Sequence, residues 1–146
     1  MLSKDFKEFI ESLNKSDVRY LVVGGYAVAF HGHPRYTKDL DVWVELSPSN
    51  ADRIVKALED FGFGSLGIKA EDFLVGDQII QLGYPPHRID ILTTLKGVTF
   101  EQCYQSRVHL EVGGVQINFI DVENLKRNKR ATGRSQDLAD VENLEV

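Results

Sequence analysis

The chain has 146 residues, 42% of them apolar, with a formal net charge of −5. This length and apolar content suffice for one hydrophobic core, and the acidic balance excludes a broadly basic surface that binds nucleic acid by bulk electrostatics. The only cysteine, Cys103, cannot form an internal disulfide, which fits a reducing cytoplasm, and we interpret it as a small buried residue.

The N-terminal segment is predicted to form an amphipathic helix over residues 3–14, with Ser3 as its N-cap. It shows neither a signal peptide nor an apolar run long enough to span a membrane. We therefore expect a cytoplasmic protein without a membrane partner. The apolar stripe of this helix consists of Phe6, Phe9, Ile10 and Leu13.

A continuous apolar run over residues 20–23 predicts a buried strand, and Gly24 and Gly25 follow it directly. Residues 26–31 are predicted to form a short helix that ends at Gly32. A residue without a Cβ lets the backbone approach a ligand, and a helix N-terminus offers free N–H groups. Gly24 and Gly25 are therefore candidates for binding the phosphates of a nucleotide.

The next strand carries two carboxylates on one of its faces. Alternation places Asp39, Asp41 and Trp43 on one side, opposite an aliphatic face. Carboxylates about 6–7 Å apart at the backbone repel each other unless a cation sits between them. Oxygen-only ligands suit a hard divalent ion, Mg²⁺ first, with Mn²⁺ as the alternative. A phosphate-binding site beside such a carboxylate pair indicates the transfer of a nucleotidyl or phosphoryl group.

The remainder of the chain alternates strand and helix patterns, with residues 65–76 expected to form a loop or a short edge segment. Together with the first half, this order predicts an α+β fold, a mixed β-sheet flanked by helices. Two glycines at 113–114 favour a tight hairpin turn. The predicted elements are a helix at 49–61, strands at 78–82 and 87–92, a short helix near 97–106, hairpin strands at 108–112 and 115–120, and helices at about 121–130 and 135–144.

The glycine pair and the D-x-D together resemble the signature of a known superfamily. An apolar-G-G, thirteen residues (26–38), then D-apolar-D-apolar is similar to the DNA polymerase β-type nucleotidyltransferases. Within that superfamily, G-G-Y-A-V-A-F-H-G-H-P-R-Y-T-K-D-L-D-V most resembles small nucleotidyltransferases related to abortive-infection (AbiEii-type) toxins. The resemblance implies a polymerase β palm-like nucleotidyltransferase fold, with a core at about 18–120 and a short helical C-terminal extension at about 121–146. We expect residues 1–146 to form a single domain.

The resemblance also implies a third carboxylate on the strand beside the D-x-D strand, a place that Asp90 of R-I-D-I-L fits. By analogy, Asp39 and Asp41 bridge two Mg²⁺ ions, and Asp90 ligates the ion on the acceptor side. Three acidic groups can hold two such ions about 3.5–4 Å apart. An isolated carboxylate on a strand more often faces water, so Asp90 is a candidate only beside the other two.

Cationic and polar residues near the D-x-D supply further candidates. Arg35 and Thr37 precede it and are predicted to contact the nucleotide, although an ordinary polar loop is the alternative. His31, His33 and His87 lack zinc-ligand spacing, so we interpret them as lining or solvated side chains.

The tail N-K-R-A-T-G-R-S-Q-D-L-A-D-V-E-N-L roughly resembles the C-terminal motif K-x-x-A-x-R-x-K-D-x-x-D of these small enzymes. Lys129, Arg134 and Asp137 match it, whereas Gln136 replaces the second lysine of the family. Lys129 and Arg134 are predicted to bind the nucleotide and neutralise its triphosphate. The alternative interpretation is a capped terminal helix with Ser135 as its N-cap.

The sequence therefore predicts a metal-dependent nucleotidyltransferase that moves an NMP from an NTP, such as ATP, to a hydroxyl acceptor. The resemblance leaves three acceptor classes open: the 3′ end of a tRNA, a protein side chain, or a small molecule such as an aminoglycoside. It also favours a toxin–antitoxin or phage-defence setting with a cognate toxin or antitoxin partner. The main alternative is a non-catalytic nucleotide-binding or antitoxin-like module with the same fold, and a phosphatase or nuclease ranks below it.

Overall fold

The structure, a computed structural model, describes residues 3–32, 37–83 and 88–144. In these residues a six-stranded sheet has the order β3-β4-β2-β1-β6-β5. Its strands are β1 (Tyr20–Val23), β2 (Leu40–Val44), β3 (Ile79–Leu82), β4 (Ile89–Leu92), β5 (Val108–Val112) and β6 (Val115–Phe119). The helices are α1 (Lys4–Lys15), α2 (Gly24–Phe30), α3 (Pro48–Phe61), α4 (Phe100–Gln105), α5 (Val122–Thr132) and α6 (Ser135–Leu144).

The sheet is mixed, as the alternation of elements predicts. Strand β1 lies antiparallel to β2 and parallel to β6, and β2 lies parallel to β4. Strands β3 and β4 are antiparallel, as are β5 and β6. All four residues of β1 are buried, which explains its continuous apolar run. The α+β class and the helix-flanked mixed sheet are confirmed.

Helices α1 and α3 begin and end where their sequence signals lie. The Ser3 hydroxyl accepts a hydrogen bond from a backbone N–H in the first turn of α1, and the Ser47 hydroxyl accepts one from the first turn of α3. Gly62 ends α3 with a φ of 106°. The two helices contact each other, and the rings of Phe9 and Phe61 meet edge-to-face with centroids 5.4 Å apart. Phe9 is fully buried, which contributes about 1.5–3 kcal/mol, and the partly buried Phe61 packs against it.

One predicted segment differs from the structure, and a second, left open between a loop and an edge segment, is a loop region. Helix α2 starts at Gly24 rather than at residue 26, so both glycines belong to its first turn. Residues 65–76 hold no edge strand; short 3-10 turns at Gly64–Leu66 and Ala70–Phe73 occupy this region. The reason is burial of Phe73, which is fully covered in the core and draws the segment against α3.

Helices α5 and α6 pack on each other, and α5 is anchored to the loop that follows β4. The Asn128 side chain donates a hydrogen bond of 2.9 Å to the carbonyl of Lys96. A Cβ on Gly97 would collide with Ala131, so the loop and α5 are in close contact. In the described part of the chain, no helix is long and apolar enough to cross a membrane. This docking places the C-terminal helices next to the strand that carries Asp90.

Candidate functional site

The sheet register brings the predicted carboxylates together. In the parallel pair of β2 and β4, Asp41 lies opposite Asp90, and residues in register share one face of a sheet. Asp39 directly precedes β2, and Arg88 directly precedes β4. Residues that are 49 positions apart in the chain, Asp39 and Arg88, form an ion pair of 2.9 Å. The site therefore lies where these two strands begin.

Arg88 joins two of the three carboxylates. Its Nη2 donates to Asp39 Oδ2 at 2.9 Å, and its Nε donates to Asp90 Oδ1 at 3.1 Å. Nη2 also lies 3.4 Å from Asp90 Oδ2, so the guanidinium faces both oxygens of that carboxylate. Bidentate arginine–carboxylate pairs of this kind are among the strong charge-assisted hydrogen bonds.

Asp41 is the most perturbed of the three acids. Burial, the charge of Asp90 and the charge of Asp39 together raise the pKa of Asp41 to about 7, and Lys129 and Arg88 only partly oppose this. Burial likewise raises the pKa of Asp90, against the opposing effect of Arg88. Perturbed acids of this kind cluster at functional sites. The negative form of Asp41 thus requires more positive charge than the protein itself supplies.

The donor set fits a hard divalent ion, because it consists of carboxylate oxygens only and is short of positive charge. Asp39, Asp41 and Asp90 are the residues that would hold such an ion. Among residues 3–32, 37–83 and 88–144, however, no three His, Cys, Asp or Glu side chains are grouped closely enough to ligate one. The chemistry of the site therefore fits a metal, while its side chains are arranged around Arg88.

Gly24 provides the space in which the Asp41 carboxylate sits. Its φ is +66°, and a Cβ at this position would collide with Asp41 Oδ2. Both the left-handed backbone and the absence of a side chain are therefore required here. Gly25 is buried in the first turn of α2. The sequence predicted that the glycine backbone approaches a ligand, whereas in the structure the backbone of Gly24 lies against the carboxylate of Asp41.

The tail residues form a buried ionic cluster beside this site. Lys129 Nζ lies 3.1 Å from Asp137 Oδ1 and 3.3 Å from Asp140 Oδ2. Arg134 Nε and the Thr132 hydroxyl each donate to Asp137 Oδ2 at 2.7 Å. Burial alone would raise the pKa of Asp137, but the hydrogen bonds from Arg134, Thr132 and Lys129 prevail and hold it at about 2.

This cluster is electrostatically coupled to the carboxylates. Lys129 lowers the pKa of Asp41, and the charge of Asp41 adds to the effect of Asp137 in raising the pKa of Arg134. Lys129 is buried, whereas the Arg134 side chain is 77% exposed. Both cations are bound to carboxylates of α6, and their predicted nucleotide contacts stay a prediction. The terminal helix is present, but Ser135 is its first residue rather than its N-cap.

The remaining predicted residues either contact backbone carbonyls or fall outside the described chain. Arg35 falls within residues 33–36, and His87 within 84–87, both outside the described ranges. The Thr37 hydroxyl donates to the carbonyl of Asp39 at 3.5 Å and so supports the segment that leads into β2. His31 Nε2 donates to the carbonyl of Ile120 at 2.6 Å, a structural contact between the end of α2 and the residue after β6.

Sequence reasoning assigned no role to Arg88 or Asp140. The signal for Arg88 was present, because period-two alternation in R-I-D puts Arg88 and Asp90 on one face. Asp140 follows Asp137 by three residues, which places both on one side of α6 toward Lys129. Trp43 is buried with its ring edge-to-face to Phe100, centroids 5.1 Å apart, and Cys103 is fully buried, as expected for core residues.

Comparison with known proteins agrees with this architecture. The sequence model of a family described as "Nucleotidyltransferase of unknown function (DUF6036)" matches residues 1–146. An antigenic nucleotidyltransferase-like protein from Paracoccidioides brasiliensis superposes with a TM-score of 0.56 at 16% identity, covering 98% of this chain and 77% of that one. A protein assigned as a nucleotidyltransferase from Thermotoga maritima gives a TM-score of 0.60 at 15% identity, covering 95% and 85%. Among curated proteins, none is detectably similar in sequence. At these identities the structural likeness shows the fold alone.

Proposed function

This chain belongs to the DUF6036 family of nucleotidyltransferases of unknown function, and we propose that it is an active, divalent-metal-dependent member. The proposed reaction moves an NMP from an NTP to a hydroxyl acceptor, with pyrophosphate as the leaving group. The observation that carries the proposal is the convergence of Asp39, Asp41 and Asp90 at the starts of two neighbouring parallel strands. A structural role does not explain a partly buried acid such as Asp41, whose charge the neighbouring cations only partly compensate.

The residues have distinct parts in this proposal. Asp39, Asp41 and Asp90 would hold Mg²⁺ or Mn²⁺, which when bound neutralises the triphosphate and polarises the acceptor hydroxyl. Asp90 belongs to β4, next to the edge strand β3, and is the candidate to take the proton of the acceptor hydroxyl. Gly24 gives Asp41 the space to face the reacting phosphate.

The positive residues beside the carboxylates are suited to the departing pyrophosphate. Lys129 is held in place by two carboxylates of α6, and its charge acts on Asp41. The exposed guanidinium of Arg134 is held on one side by Asp137 and leaves other N–H donors for a phosphate oxygen. We retain Arg35 and Thr37 as nucleotide-contact candidates on sequence grounds.

Label transfer tests the activity directly. The protein is incubated with each labelled NTP, Mg²⁺ and, in separate reactions, total RNA, a protein lysate and hydroxyl-bearing small molecules. Asp41→Asn should abolish transfer while the protein stays folded, and the exposed Asp52→Asn in α3 is the matched control with unchanged transfer. Full activity of Asp41→Asn would refute the assignment. The acceptor class that becomes labelled also decides between the tRNA, protein and small-molecule alternatives.

A second candidate is a non-catalytic nucleotide-binding or antitoxin-like module. The observation that favours it is internal pairing: Arg88, Lys129 and Arg134 all bind carboxylates of this same chain. NTP binding by calorimetry without transfer to any acceptor would support this module over the enzyme. The toxin–antitoxin setting is likewise a proposal, which co-purification with a stoichiometric partner protein from the native host would support.

A further inference from the structure

Arg88 occupies the space between two carboxylates that are expected to bind a metal. Its guanidinium contacts Asp39 at 2.9 Å and both oxygens of Asp90 at 3.1 and 3.4 Å. The backbone at this position is fixed, because the carbonyl of Arg88 accepts the N–H of Leu40 at 3.0 Å. The side chain is 31% exposed, so it can rotate into solvent without any movement of the strand.

Arg88 and a divalent ion make competing demands on the same oxygens. Asp90 directs both oxygens at the guanidinium, and Asp39 contributes the oxygen nearest to the same nitrogen. A guanidinium and a divalent ion within a few ångströms of each other repel strongly in a partly buried site. This competition also explains why the described acids are not grouped as a ready ion site, although three of them converge.

We propose that Arg88 is the resident counter-cation of the carboxylates and competes with the divalent metal for Asp39 and Asp90. The metal-free protein is then spared unscreened repulsion among three neighbouring acids, and metal binds only as the Arg88 side chain leaves. The identity of the metal site rests on the function proposed above, but the competition concerns this chain's own residues. As a consequence, the metal concentration needed to fill the site is higher than it would be without Arg88.

Metal titration by calorimetry, without nucleotide, tests the competition. Arg88→Met keeps the length of the apolar stem but removes the charge, and it should bind Mn²⁺ at least about tenfold more tightly than the wild type. Arg88→Lys should fall between the two, because an ammonium cannot span both carboxylates bidentately. Arg19→Met is the matched control: it removes an arginine whose 3.2 Å ion pair is with Glu45, and its affinity should equal that of the wild type.

Melting in EDTA supplies a second readout. Arg88→Met should melt below the wild type without metal and gain more from added Mn²⁺. Equal or weaker Mn²⁺ binding by Arg88→Met would overturn the inference and make Arg88 a residue that positions the carboxylates for metal. Should Arg88→Met fail to fold, the affinity of Arg88→Lys decides in the same way.

The outcomes separate this inference from the enzymatic proposal. Label transfer by the wild type with unchanged Mn²⁺ affinity in Arg88→Met overturns the competition alone. Tighter Mn²⁺ binding by Arg88→Met with no transfer to any acceptor overturns the enzymatic proposal and supports the competition. Mn²⁺ binding by neither the wild type nor the variant overturns the competition, and label transfer by the wild type then decides the enzymatic proposal by itself.

Discussion

Replacing the partly buried carboxylate of Asp41 by an amide should make the metal-free protein more stable, not less. Burial and two neighbouring acids raise the pKa of Asp41 from 3.8 to about 7, so its ionised form opposes folding. Asn has nearly the same shape and carries no charge, so Asp41→Asn removes that opposition. The same change should abolish nucleotidyl transfer. It would show that the carboxylate lowers the stability of the fold and is nevertheless needed for activity.

The magnitude follows from the difference between the folded and unfolded pKa values. Below pH 3.8 the acid is neutral in both states and contributes no difference; between pH 3.8 and 7 only the unfolded chain loses the proton, so wild-type stability falls as pH rises. At about 1.4 kcal/mol for each pKa step, the full effect is about 4 kcal/mol at pH 8 and about 1.5 kcal/mol at pH 5. Asp41→Asn should lack this slope.

Urea unfolding in EDTA at pH 5, 6.5 and 8 measures the free energy of unfolding of both proteins. The control is Asp39→Asn, which lies just before the same strand but is partly exposed in its ion pair with Arg88, and should change stability by less than about 1 kcal/mol. An Asp41→Asn protein that is less stable than the wild type at pH 8, or a difference that does not vary with pH, would refute the reasoning.

Three further predictions concern the surroundings of the carboxylates. Gly24→Ala and Gly67→Ala both place a side chain at a left-handed φ, +66° and +71°, which costs about 1–2 kcal/mol each. Only the side chain at position 24 would collide with Asp41. Label transfer should therefore fall in Gly24→Ala and stay unchanged in Gly67→Ala. Lys129→Met removes the buried cation that two buried carboxylates share, so urea unfolding should show a loss of about 3–5 kcal/mol. A loss below about 1 kcal/mol would contradict the buried pairing. Hydrogen bonds hold the pKa of Asp137 at about 2, so this residue contributes stability above pH 3.8 that is lost as pH falls toward 2. The stability of Asp137→Asn, followed by circular dichroism, should depend less on pH between pH 3.8 and 2.

Local patterns predicted most of the elements in this chain, because each carries its own signals. Ser3 and Ser47 mark helix starts, Gly62 marks a helix end, and the apolar run at Tyr20–Val23 marks a buried strand. These signals act over a few residues, so the sequence alone contains them. The 3-10 turns at 64–73 were not predictable in this way, since burial of Phe73 against α3 determines them.

The site was predictable in its residue types and only in part in its contacts. The spacing of Asp39 and Asp41 follows from the pleat, and the resemblance singled out Asp90 on a neighbouring strand. The pairing of Arg88 with Asp39 depends on the register of two strands far apart in the chain, which no local pattern specifies, whereas its pairing with Asp90 follows from period-two alternation. Whether Lys129 is free or paired similarly depends on how α6 packs on α5.

The parallel pairing of β2 with β4 has a consequence for how a ligand would act on the protein. Parallel neighbours cannot be joined by a tight hairpin, so the long stretch between these strands must be closed before Asp41 and Asp90 meet. A partly unfolded form that lacks β4 lacks Asp90 and therefore cannot present the complete site. Occupancy should therefore slow amide hydrogen exchange along the central strands themselves, well beyond the residues that touch the bound molecule.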